Sequence, residues 1–168
     1  MTFYYGSGND IIDVHASATP VQIHTGAGND KVTGSNGNDT VNGGEGNDSI
    51  DAGAGNDVIR GGAGADRVKG GAGNDTFIFA RGDLVSADYP DHIVDFAGAG
   101  GYGPVENDMI HLVGFNGAVA LSFVKNVGGN PALQLYGVTD ADGFQGSILV
   151  QMKHGDTHHI TNRDYMYY

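Results

Sequence analysis

A chain of 168 residues suits one ordinary domain. Its formal charge of −12, from 20 acids against 8 bases, argues against nucleic acid and against insertion into an anionic membrane surface, and favours cations. With no cysteine there is no disulfide framework, no thiolate zinc site and no cysteine nucleophile, while 30 glycines are more than twice the usual share of about 7%. Glycine loses the most backbone freedom on folding, so such a chain needs an added source of folding energy.

The opening MTFYYGSGND has no basic stretch followed by an apolar run, so no cleavable signal peptide is expected. No apolar run approaches the length of a membrane span. A first unit, YGSGNDIID, occupies residues 5–13. An 11-residue stretch, VHASATPVQIH, follows and keeps an apolar residue at Ile23 without the glycines or the acid. From Thr25 to Ile78 six nonapeptides run without a gap: TGAGNDKVT, GSNGNDTVN, GGEGNDSID, AGAGNDVIR, GGAGADRVK and GGAGNDTFI.

Three positions are fixed in all seven units. The fourth is glycine (Gly8, Gly28, Gly37, Gly46, Gly55, Gly64, Gly73), which permits positive φ in a tight turn. The sixth is aspartate (Asp10, Asp30, Asp39, Asp48, Asp57, Asp66, Asp75), and the eighth is apolar. A three-residue strand has room for one inward side chain, so the eighth position is a thin core. Turn chemistry explains asparagine at the fifth position. It does not explain aspartate at every sixth position of an acidic chain, where stacked carboxylates repel one another. A hard cation taking carboxylate and carbonyl oxygens removes that conflict.

These units resemble the GGxGxDxUx nonapeptide of RTX proteins, a calcium-binding repeat. The resemblance covers residues 5–78. It implies an all-β fold: a right-handed parallel β-roll (β-solenoid) in which each unit gives a turn and a short strand, and two units complete a coil. Calcium then sits between turns two units apart. One side stacks Asp10, Asp30, Asp48 and Asp66; the other stacks Asp39, Asp57 and Asp75. Neighbours give three sites on the first side and two on the second, and residues 14–24 form the opposite half of the first coil. The resemblance also implies that glycine carbonyls complete each shell, from Gly6, Gly8, Gly26, Gly28, Gly37, Gly44, Gly46, Gly53, Gly55, Gly62, Gly64, Gly71 and Gly73. About five Ca²⁺ ions would bring the formal −12 to about −2. At ten times Kd each ion stabilises the fold by about 1.4 kcal/mol, so the set contributes on the order of a whole domain's stability. The repeat region is expected to be disordered without calcium.

After Ile78 the nonapeptide stops, so residues 1–78 read as the roll and 79–168 as a C-terminal capping region. Apolar alternation at Val119, Leu121 and Phe123, at Leu133 and Leu135, and at Ile148, Val150 and Met152 predicts short antiparallel strands that cover the open end. Gly128-Gly129-Asn130 predicts a turn between them. NDTFIF, DHIVDF and NDMIHLVGF, in that order, resemble the region after the repeats in serralysin-type proteases and in the calcium-binding R-modules of mannuronan C5-epimerases. The loop at residues 98–106 is longer than that resemblance implies. Asp91, Asp95 and Asp108 read first as solvated loop acids, with one further calcium as the alternative. The resemblance implies type I secretion, with the aromatic tail after Asp164 read by the secretion machinery; a final capping strand is the plainer reading of the same residues. Secretion by this route places the chain outside the cell.

The residues do not assemble a catalytic motif. His154, His158 and His159 could bind a transition metal, but beside a polar turn they read as exposed loop histidines. Asp88 and Asp91 are a carboxylate pair with no further catalytic partner. The expectation is a non-catalytic calcium module, with an accessory polysaccharide (alginate)-binding module as the alternative.

Overall fold

A repeat with one inward side chain per strand buries that side chain only by facing another strand. The computed structural model describes residues 1–84, 90–97, 107–153, 159–160 and 165–167 and shows two facing sheets. The strands, numbered in chain order, alternate between them from β1 to β11. The first sheet holds β1 (Thr2–Tyr4), β3 (Gln22–Ala27), β5 (Thr40–Glu45), β7 (Val58–Ala63), β9 (Thr76–Ala80), β11 (Met109–Val113) and β15 (Tyr165–Tyr167), in that order. The second holds β2 (Ile11–Asp13), β4 (Lys31–Thr33), β6 (Ser49–Ala54), β8 (Arg67–Ala72), β10 (Asp91–Phe96), β14 (Gln145–Met152), β13 (Asn130–Thr139) and β12 (Ala120–Val127). From β1 to β11 each strand pairs with the one two places on, so two units make one coil and the architecture is a parallel β-roll.

Register places every eighth-position residue on an inward row. Ile12, Val32, Ile50, Val68, Ile93 and Val150 follow one another across the second sheet. Phe3, Ile23, Val41, Ile59, Phe77 and Ile110 do so across the first. All but Phe3 are buried, in one cluster that runs on to Met152. Phe3 stands nine residues before Ile12 and so at the eighth position of an unrecognised unit, which is why Thr2–Tyr4 forms a strand. Residues 14–24 close the first coil as expected, delivering Ile23 to β3.

The parallel ladders do not stop where the nonapeptide stops. β10, β11, β14 and β15 each add a parallel strand beyond Ile78. β12, β13 and β14 are antiparallel to one another, and Gly128 and Gly129 at φ 60° and 74° give the tight turn that a two-residue hairpin needs. These strands lengthen the second sheet; β14 is at once the last parallel strand of the roll and the first of the antiparallel set. The tail residues Tyr165–Tyr167 form the last strand of the first sheet. Among the described residues no helix is long and apolar enough to cross a membrane.

Candidate metal centres

The turns that join the sheets are built around glycines with positive φ. Gly8, Gly26, Gly28, Gly44, Gly46, Gly53, Gly55, Gly62, Gly64, Gly71 and Gly73 lie between +102° and +139°, a region that side chains rarely adopt. A second constraint acts at the same positions, because successive coils are in contact. A Cβ on Gly44 would lie 2.0 Å from the Gly26 carbonyl oxygen, and one on Gly62 2.0 Å from that of Gly44. Gly37 differs from expectation and has no positive φ; Gly6, at a second position, has none either. Gly37 packs against Pro20 and Ala18 of the irregular first half-coil, so its turn takes another shape.

Two side-chain ladders run along the turns in opposite directions. Each sixth-position aspartate reaches back one coil. Asp30 Oδ1 accepts the N–H of Asp10 (2.8 Å), Asp48 that of Asp30 (2.8 Å) and Asp66 that of Asp48 (2.7 Å). On the other side Asp39 accepts the N–H of Val21 (2.9 Å), Asp57 that of Asp39 (2.7 Å) and Asp75 that of Asp57 (2.9 Å). The stacks are therefore those the RTX resemblance implies, with Val21 where the second side lacks an acid. Each fifth-position asparagine reaches forward: Asn9 to Asn29, Asn29 to Asn47, and Asn47 to Ala65, all at 2.8 Å. Ala65 gives nothing onward, and the residue it would reach is Pro90, which has no N–H.

One carboxylate oxygen per aspartate is spent on the ladder. The other decides whether a cation fits. Oδ2 of Asp30, Asp48, Asp57 and Asp66 is buried without a hydrogen-bond partner. An ionised buried oxygen left so is costly, and a hard divalent cation is the partner its chemistry suits. The same oxygens face the turn glycines: a Cβ on Gly43 or Gly61 would lie 2.2 Å from Oδ2 of Asp48 or Asp66, and one on Gly70 2.1 Å from that of Asp75. Burial, with the carboxylates next in the stack, pushes the Asp48 carboxyl up to about 6 and those of Asp57 and Asp66 up to about 7. These residues, with the carbonyls around them, are the ones that could hold calcium.

Asp39 is of another kind. Its Oδ2 accepts the N–H of Ser35 (2.6 Å) and its Oδ1 also accepts the Ser35 hydroxyl (2.8 Å), so hydrogen bonds from its own turn close it. The signal was Ser35, the one second-position residue of the six continuous units that is not glycine.

The reading of Asp91, Asp95 and Asp108 needs correction. None is a solvated loop acid, and Asp91 and Asp108 fall on opposite sides. Asp91 Oδ1 accepts the N–H of Asp66 (2.9 Å) and extends the first stack; Asp108 Oδ1 accepts that of Asp75 (3.0 Å) and extends the second. Both are buried, which pushes Asp91 up to about 8 and Asp108 to about 7. Asp95 accepts the N–H groups of Gly70 and Gly71. The Asp-x-Ile pattern at 91–93 and 108–110 was the available signal, hidden by the loss of the nine-residue period. Asp83 was missed altogether: it is buried beside the end of the first stack and takes both arms of Arg60, at 2.9 and 2.8 Å. His159 is exposed, with its ring centroid 4.1 Å from that of Phe123, while His154, His158, Asp88, the loop at residues 98–106 and Asp164 lie outside the described residues.

Residues 22–50 and 51–83 match the family model described as the RTX calcium-binding nonapeptide repeat. That stretch therefore carries RTX calcium-binding repeats; the match does not include the first unit at residues 5–13. Comparison with curated proteins finds no match. Among solved structures the fold is similar to the AlgE6R3 subunit of the Azotobacter vinelandii mannuronan C5-epimerase, with TM-score 0.53 and 24% identity over 94% of this chain and 78% of that one. It is also similar to the AlgE6R2 subunit of the same enzyme, with TM-score 0.52 and 21% identity over 99% of this chain and 92% of that one.

Proposed function

We propose that this chain, with RTX calcium-binding repeats over residues 22–83 as the premise, is a non-catalytic module that folds on binding extracellular calcium. The carrying observation is the set of buried Oδ2 atoms without partners at Asp30, Asp48, Asp57 and Asp66. Bound calcium would supply the compensating positive charge there, held by the sixth-position aspartates and by the carbonyls of the turn glycines. About five ions fit the stacks: three on the first side up to Asp66 and two on the second up to Asp75. The metal-free roll has rows of buried carboxylates facing one another, so folding and loading are one event. Residues 1–78 are the calcium-loaded part and residues 79–168 the cap.

Export by a type I system, with the C-terminal residues as its signal, is the route we assign. It is supported by the RTX repeats and by the absence of cysteine, and it places the protein where calcium is millimolar. The roll would then fold after leaving the cell. Polysaccharide binding is the second reading, favoured by the likeness to R subunits of an epimerase. A calcium titration followed by calorimetry and circular dichroism tests the first reading. Native-like β signal in excess chelator at pH 8, where the stack carboxylates are ionised, or no calcium bound, would overturn it. Alginate oligomers added to the calcium-loaded protein test the second.

A further inference from the structure

Inside the roll, each turn on the second side is bonded by the backbone of the next coil. Gly34 N–H donates to the carbonyl of Asp51 (2.8 Å), and the Ser35 carbonyl accepts the N–H of Ala54 (3.2 Å). The equivalent groups of the last such turn are those of Gly70 and Gly71, and the next coil offers no repeat to meet them. Side chains meet them instead. Gly70 N–H donates to Asp95 Oδ1 (3.0 Å), Gly71 N–H donates to Asp95 Oδ2 (2.9 Å), and the Gly71 carbonyl accepts from the Lys153 ammonium. A carboxylate replaces the missing carbonyls and an ammonium replaces the missing N–H.

The aspartate of this coil is altered in the same sense. Asp108 Oδ1 makes the usual ladder bond to Asp75, but its Oδ2 accepts the N–H of Ala97 at 2.8 Å. It lacks the buried, unpartnered oxygen that Asp48, Asp57 and Asp66 present. Gly71, whose carbonyl the RTX resemblance implies as a calcium ligand, is engaged by a positive charge tethered to β14.

We propose that the second side stops taking calcium at Asp75, because Asp95, Asp108 and Lys153 supply from side chains what a further repeat would supply from its backbone and its metal. Lys153 is the built-in cation of that step, and the step between Asp75 and Asp108 closes without calcium. This inference rests on the calcium reading of the roll.

Calcium bound per chain is counted by equilibrium dialysis for the unmodified protein, Asp57→Asn and Asp108→Asn, each checked for native β circular dichroism. Asp57→Asn, which removes a carboxylate shared by the pairs with Asp39 and Asp75, is expected to bind fewer ions, and Asp108→Asn the same number as the unmodified protein. Loss of one ion from Asp108→Asn overturns the proposal. An unmodified protein that binds no calcium overturns the calcium reading instead. Should Asp108→Asn fail to fold, the unmodified calcium-loaded protein decides. The Lys153 ammonium is expected to give a slowly exchanging ¹⁵N resonance, and exchange as fast as that of exposed Lys31 or Lys125 overturns the proposal.

Discussion

Asp66 Oδ1 accepts the backbone N–H of Asp48, 18 residues earlier, at 2.7 Å, while its Oδ2 is buried with no hydrogen-bond partner. One side chain thus does two separable things: it ties adjacent coils together and it holds a charge that needs a cation.

Asparagine in place of aspartate separates the two. Asp66→Asn keeps an oxygen for the Asp48 N–H and removes the charge. In calcium the variant is expected to lose one ion and the corresponding stabilisation, about 1.4 kcal/mol at ten times Kd. In chelator the same change relieves a buried charge and leaves the protein no less structured than the parent. Denaturant midpoints in calcium and circular dichroism in chelator check the two effects. A loss in both conditions would make the residue purely structural.

The metal-free roll is expected to gain stability as pH falls. Burial raises Asp48 to about 6, Asp57, Asp66 and Asp108 to about 7 and Asp91 to about 8, against an ordinary value of 3.8. A group whose folded value lies above its unfolded value binds protons more readily when folded. Its favourable contribution is complete below about 4 and is lost as pH rises through the folded value, here between about 6 and 8. Protons and calcium compete for the stack carboxylates, so the calcium concentration for half-saturation should rise as pH falls from 8 to 5. Circular dichroism in chelator at pH 5 and pH 8, and calcium titrations at the same two values, give both trends; more structure at pH 8 in chelator would contradict the first.

Glycine contacts between coils predict a sharp contrast. Gly62→Ala places a Cβ 2.0 Å from the Gly44 carbonyl oxygen at a φ of +114°. Gly82→Ala meets nothing within 4 Å. The first should cost more than about 1 kcal/mol, since both strain and collision act, and should raise the calcium concentration at which the roll folds. The second should leave that midpoint in place.

The asparagine ladder predicts a paired result. Asn47→Ala leaves the Ala65 N–H without its acceptor and should cost about 1 kcal/mol. Ala65→Asn restores the repeat consensus but faces Pro90, which has no N–H to donate, so the ladder gains nothing. Thermal unfolding in calcium measures both.

The parts of this fold that were legible in the sequence share one property: a fixed period. Gly, Asp and an apolar residue recur every nine positions, and with the two-unit coil that the RTX resemblance implies, the stacks from Asp10 to Asp66 and from Asp39 to Asp75 follow. Asp91 and Asp108 bond to partners 25 and 33 residues away, distances set by the connections between coils. Lys153 meets Gly71 across 82 residues, as a side chain replacing a peptide group. Such a substitution leaves no spacing to read, because tertiary proximity alone decides it. The antiparallel hairpin was legible from alternation and from Gly128-Gly129; that β14 also joins the parallel ladder was not, since the same alternation serves either pairing.

The two opposed ladders give the roll the character of a one-dimensional lattice. Turns on one side recur at strand spacing, about 4.8 Å, so each flank is a rail of closely spaced rungs. Each rung is bonded by its aspartate to the rung behind and by its asparagine to the rung ahead. Emptying one rung loosens both neighbours, and loss of calcium spreads as an opening zipper whose progress is fastest from an unsecured end. At the step after Asp75 the rung is held by the side chains of Asp95, Asp108 and Lys153, so opening is resisted there without metal.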